Sequence, residues 1–178
     1  LPVLLRHRDV QLVLAGTGQR REELERLARS LGVAERVHFL GFVPDDDLPL
    51  VYVAADLFVI GSVAELQSIA TLEAMSTGLP VVAADALALP HLVRPGRNGY
   101  LYPPGDVAQL AQRLLDVLES PDRRTAMGRA SRDIAQTHDH HRSLDRFEQI
   151  YTEVRPRSWT LSRSASPAAR QRDTTVAA

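Results

Sequence analysis

Short apolar runs alternate with segments of helical periodicity along most of this chain, and that alternation restricts the fold more than any other feature. Residues 11–15 (QLVLA) read as a buried strand, followed by the turn Gly16-Thr17-Gly18. Residues 20–31 carry leucines at 24, 27 and 31, the three-and-four spacing of an amphipathic helix. Further strands are predicted at 37–40, 57–60, 81–84 and 99–102, and further helices at 46–55, 68–77, 107–118, 122–135 and 144–154. This repeated order predicts an α/β fold, a Rossmann-like parallel sheet with helices on both faces. Residues 1–8 read as the end of a helix whose beginning is absent. A doubly wound domain opens with a strand and a phosphate-facing loop. Neither is in the sequence, so the expected domain, 1–155, lacks its first strand and exposes a sheet edge near 11–15. Such an edge invites self-association. Residues 156–178 turn to Ser, Arg, Ala, Thr and Pro without periodicity and read as a disordered tail.

Composition narrows the function. The 178 residues carry a net charge of −1, which gives no electrostatic case for nucleic acid or an anionic membrane surface. With no cysteine, disulfides and thiolate metal sites are excluded. All 21 basic residues are arginine, a bias that fits GC-rich bacterial coding. No apolar run has membrane-spanning length and no signal peptide heads the chain. A cytoplasmic protein is expected, with any association at the inner face of the cell membrane made through a part outside this sequence.

The chemistry concentrates in residues 64–80, AELQSIATLEAMSTGLP. Glu65 and Glu73 stand eight positions apart around a predicted helix start, with Gln67-Ser68 between them. A helix start offers unpaired N–H groups and the positive end of a dipole, which suit phosphate. Flanking carboxylates suit hydroxyl groups, and phosphate plus hydroxyls describes a nucleotide-sugar. A capping box does not account for Glu73. With Ser68 as N-cap, the reciprocal acid would stand at Thr71.

Three stretches taken together, LVLAGTGQRREELERLARSLGVAERVHFLGFVP, AELQSIATLEAMSTGLPVVAADALALPHLV and GRNGYLYPPGD, resemble the C-terminal, donor-binding domain of GT-B glycosyltransferases. The likeness is to the family-four, group 1 retaining enzymes with their glutamate-x7-glutamate signature, and it runs from about residue 12 to 151. It implies that Glu65 is the catalytic-site acid on the donor-sugar hydroxyls and that Glu73 holds the nucleotide ribose. It places the backbone amides of Gln67, Ser68, Ile69 and Ala70 against sugar and diphosphate. Gly16 would line the cleft, and Phe42 and Val43 would cradle the base. The donor, a UDP- or GDP-sugar, is a substrate, and no cofactor or metal is implied. Retention of configuration by a front-side route is implied, with an N-terminal acceptor domain as the missing partner, so the isolated chain is expected to be inactive. The sequence departs from the family at Gly61-Ser62-Val63-Ala64, where Pro-Ser is usual. It departs again at Gln67-Ser68 for Phe-Gly and at His91 for a glutamate. The arginine and lysine that grip the diphosphate from the first strand and loop are also absent. A non-catalytic or truncated nucleotide-binding module, or a GT-B nucleotide-sugar epimerase, would share the same motifs.

Other candidates have plainer readings. Asp45-Asp46-Asp47 could ligate a metal but reads better as an N-cap cluster. His138, His140 and His141 cannot all converge on one ion and read as a solvated helix start. His91 divides between a donor contact and a structural role. Asp106 reads as the N-cap of the helix at 107–118.

Overall fold

The computed structural model describes residues 1–154. Residues 1–139 form one compact unit, and a second unit begins at His140. The first holds α1 (Pro2–Leu5), β1 (Leu12–Ala15), α2 (Arg21–Ser30), a 3₁₀ turn (Ala34–Arg36), β2 (Val37–Gly41), α3 (Leu48–Val53) and β3 (Phe58–Ile60). It continues through α4 (Ile69–Ser76), β4 (Val81–Ala84), α5 (Leu89–Leu92), β5 (Gly99–Tyr102), α6 (Val107–Leu118) and α7 (Pro121–Gln136). The described part of the second unit is α8 (His140–Val154). Every predicted strand and helix is present, and the tail expected at 156–178 lies outside the described residues.

All the strand pairs are parallel, and the ladder comes in two pieces. β1 pairs with β2, and β3, β4 and β5 pair in that order. In a doubly wound sheet of order 3-2-1-4-5-6 the first strand stands at the centre. The two pieces match the flanks of that order, 3-2 and 4-5-6, and no described residue fills the position between them.

The core is built on β4. Successive strand residues point to opposite faces, and Val81, Val82, Ala83 and Ala84 are all fully buried. Both faces are therefore covered, as parallel sheets require. Met75 of α4, Leu89 and Val93 at α5, and Val117 of α6 complete the packing. Each such side chain contributes roughly 1.5–3 kcal/mol by leaving water. Gly99 lets β5 approach β4, because a Cβ there would stand 1.8 Å from the Val81 carbonyl oxygen. Gly128 does the same between α7 and the end of α4, with a Cβ position 2.1 Å from the Gly78 oxygen. The β1–β2 piece is thinner. The α2 leucine stripe forms as predicted, yet Leu27 and Leu31 stay about half exposed. Two strands are too narrow a platform to cover it.

Helix starts follow their caps only in part. The Asp106 carboxylate accepts from the Gln109 amide at 2.8 Å, as its sequence position predicts. Ser120 caps α7 through the Arg123 amide at 3.2 Å. Asp47 stands at the N-cap of α3 but its side chain makes no cap bond. Its backbone is already helical (φ −94°, ψ −22°), whereas a capping side chain needs the extended region. The start of α3 is held instead by the Pro44 carbonyl, which accepts from the amides of Asp47 and Leu48.

Candidate functional site

In parallel α/β sheets the loops leaving the carboxyl ends of the strands gather at one edge, where ligands bind. Here those loops are Gly16 after β1, Phe42-Val43 after β2, 61–68 after β3 and 85–88 after β4. They carry every residue that the resemblance nominated for the donor site except Glu73, Ile69 and Ala70, which stand on α4.

At the end of β1, the Gly16 amide donates to the Gly41 carbonyl at 2.7 Å. Gly16 has φ +127°, a conformation that suits glycine. The contact brings Gly16 beside the residue preceding Phe42. Phe42 is 75 % exposed and Val43 is half-buried. No hydrogen bond joins this turn to the 61–70 segment among the described residues.

The 61–68 loop lies on Tyr102 and is pinned to the next loop. A Cβ on Gly61 would stand 3.1 Å from the Tyr102 hydroxyl, so the chain passes close to that oxygen. Burial pushes the Tyr102 phenol above its usual range. The Glu65 carbonyl accepts from the Ala88 amide at 3.1 Å, which fixes the loop to the start of α5. The Glu65 side chain is half-buried, while Gln67, Ile69 and Ala70 are exposed. Leu66 is 86 % exposed, an apolar side chain set in water at the loop tip.

Ser68 is the N-cap of α4, as predicted, but does not act as one. It adopts a left-handed conformation (φ +53°, ψ +66°) and its hydroxyl caps no backbone amide. The hydroxyl bonds the Thr71 hydroxyl at 2.7 Å instead. Both side chains are buried. The carbonyl of Ser68 accepts from the amides of Thr71 and Leu72. The amides of Ile69 and Ala70 have no partner among the described residues. A helix start with two unpaired N–H groups is therefore presented at the strand ends.

Glu73 points from α4 to α3. Its Oε2 accepts from the Tyr52 hydroxyl at 3.0 Å, and Oε1 accepts from no other group among the described residues. The Tyr52 ring meets Phe58 edge-on, with centroids 5.9 Å apart. Burial, reinforced by the Glu73 carboxylate, pushes the Tyr52 phenol up to about 12. Tyr52 was not a candidate in the sequence because the helix predicted at 46–55 is otherwise apolar after its acidic start. A hydroxyl-bearing ring among those residues was the available signal.

The remaining candidates stand apart from this arrangement. His91 is exposed on α5, its amide donating to the Ala88 carbonyl. Asp45, Asp46 and Asp47 are exposed. His138 follows α7, and His140 and His141 open α8. Among the described residues no three His, Cys, Asp or Glu are placed to hold a metal ion, and no helix is long and apolar enough to cross a membrane.

Comparison with known proteins bears on the same residues. The family described as "Glycosyl transferases group 1" matches residues 2–134. The chain is 33 % identical over 134 residues to the sulfoquinovosyl transferase SQD2 of Arabidopsis thaliana, covering 74 % of this chain and 26 % of that protein. It is 36 % identical over 131 residues to the GDP-mannose-dependent alpha-(1-6)-phosphatidylinositol monomannoside mannosyltransferase of Mycolicibacterium smegmatis, covering 70 % and 34 %. Among solved structures it resembles Anabaena HepE in complex with UDP, with a TM-score of 0.77 and 29 % identity over 86 % of this chain and 44 % of that one. The chain thus spans about a quarter to a third of these two curated relatives.

Proposed function

The chain belongs to the group 1 glycosyl transferases, and on that premise we propose that residues 1–139 form the donor-binding part of a glycosyltransferase. The carrying observation is the start of α4. The unpaired amides of Ile69 and Ala70 lie in sequence between two half-buried acids, Glu65 and Glu73. The donor is a nucleoside diphosphate sugar with uracil or guanine as base. This rests on similarity to one protein solved with UDP and to another described as GDP-mannose-dependent.

In this reading the helix start faces the diphosphate. As the bond from the anomeric carbon to phosphate oxygen breaks, negative charge grows on the leaving diphosphate. The unpaired N–H groups and the helix dipole stabilise it without a metal. Glu65 accepts hydrogen bonds from the sugar hydroxyls and Glu73 from the ribose. Phe42 and Val43 hold the base through their main chain, and Gly16 leaves room for the donor. Gln67 and Ser68 bring their amides to the sugar side. The acceptor attacks from the leaving-group face, so configuration is retained. The acceptor site lies in a part of the protein beyond this chain, and the reaction is cytoplasmic.

Calorimetry on the complete protein tests the reading. Glu73→Ala weakens UDP or GDP binding by about thirtyfold or more, the loss of a charge-assisted pair of hydrogen bonds. Glu65→Ala weakens the sugar donor but not the bare diphosphate. Affinities unchanged by both substitutions overturn the assignment.

A further inference from the structure

Tyr52 makes a polar contact with Glu73 that the donor-site reading does not use. It stands on α3, which follows β2, and it reaches Glu73 on α4, which follows β3. We propose that Tyr52 is the positioning residue for Glu73, donating the hydrogen bond that fixes this carboxylate for the vicinal hydroxyls of a nucleotide ribose. The proposal rests on the donor-site reading above.

A glutamate side chain has three rotatable torsions, and ordering it at the moment of binding costs affinity. Tyr52 removes much of that cost beforehand. Its single O–H is committed to Oε2 at 3.0 Å, and Oε1 is left as an aimed acceptor. The phenol is itself held, with its ring edge-on to Phe58 of β3. A neutral donor orients the carboxylate without cancelling its charge, as a guanidinium would. With the phenol pushed up to about 12, Tyr52 stays protonated, and so stays a donor, throughout the physiological range.

The contact also joins two parts of the site. Phe42 and Val43 lead directly into Pro44, whose carbonyl accepts the first amides of α3. The segment assigned to the base and the acid assigned to the ribose are therefore linked through α3 and Tyr52. A nucleoside presents base and ribose at a fixed spacing, and this linkage ties the two receiving groups to one helix.

The test measures binding of UDP and GDP to the complete protein, each beside its 2′,3′-dideoxy counterpart. The wild-type protein prefers the ribonucleotide, on the order of thirtyfold, as expected for a pair of hydrogen bonds to a charged group. Tyr52→Phe loses most of that preference while binding the dideoxy nucleotide as the wild type does. Glu73→Gln loses it as well, and the double variant is no worse than either single one. A Tyr52→Phe protein that keeps the preference while Glu73→Gln loses it overturns the positioning role and leaves the donor-site reading intact. Equal weakening of both nucleotides by Tyr52→Phe makes Tyr52 a merely structural residue and also overturns the proposal. A preference untouched by Glu73→Gln, or no nucleotide binding at all, overturns the donor-site reading and the proposal with it.

Discussion

The Ser68 hydroxyl lies 2.7 Å from the Thr71 hydroxyl, and the two side chains are buried together under the first turn of α4. The bond replaces the usual cap and coincides with a left-handed Ser68. A left-handed conformation costs a residue bearing a Cβ roughly 1–2 kcal/mol. A buried hydroxyl left without a partner costs roughly 1–3 kcal/mol.

These two magnitudes predict an unusual order of substitutions. Ser68→Ala strands Thr71 and keeps the backbone strain, so it destabilises by about 1–2 kcal/mol. Ser68→Gly strands Thr71 as well but releases the strain, so it is the milder change by about 1 kcal/mol. Urea midpoints of the two variants check the order, and an alanine variant at least as stable as the glycine one contradicts it.

Gly128→Ala sets helix propensity against packing. Alanine in place of glycine favours a helix interior by about 1 kcal/mol. The new Cβ, however, would stand 2.1 Å from the Gly78 carbonyl oxygen, and backbone on both sides leaves nothing flexible to give way. Overpacking costs typically 1–3 kcal/mol, so the variant melts earlier. A melting temperature equal to or above the wild type would show that α7 can move away from α4.

The chain contains no lysine or cysteine, so tyrosine is the side chain that titrates between about pH 9 and 12. Tyr52 is pushed up to about 12 by burial and by Glu73, and Tyr102 is raised by burial. A raised phenol stabilises the fold fully below its unfolded value near 10. That stability is lost as the pH rises through the folded value. Two units would set a ceiling of about 2.7 kcal/mol for Tyr52. Solvent screening of this half-exposed group reduces the contribution to about 1 kcal/mol. Unfolding free energy is therefore expected to fall between pH 10 and 12, and Tyr52→Phe removes part of the fall. An identical alkaline profile for wild type and variant contradicts it.

Nucleotide affinity is expected to be indifferent to divalent cations. The acidic cluster at 45–47 is exposed, and among the described residues no three potential ligands are placed around an ion. Binding titrations with EDTA and with magnesium should agree within about twofold, and a tenfold difference refutes metal-free binding.

The elements and their order were legible because hydrophobic period survives local context. The β4 run VVAA is buried on both faces, and a fully buried parallel strand needs no alternation. Asp106 was legible as a cap because an aspartate stands directly before the helical segment at 107–118, and its carboxylate does accept from the Gln109 amide. Asp47 and Ser68 look equally suited in sequence, yet their side chains cap nothing, since backbone angles decide whether a side chain can reach an amide. The glutamate pair stood out by type and spacing. The Tyr52 contact to Glu73 spans 21 residues and two helices, and no local pattern encodes such a pairing.

The division of the ladder into a β1–β2 pair and a β3–β4–β5 sheet sets a gradient of local opening across the unit. β4 is paired on both sides and sealed from water, so its amide protons should be among the last to exchange with deuterium, close to the global limit. Among the described residues β1 and β2 pair only with each other, and their amides should exchange through earlier fraying. Gly16 and Phe42 would then ride on the looser shoulder, and Glu65 and Glu73 on the firm one.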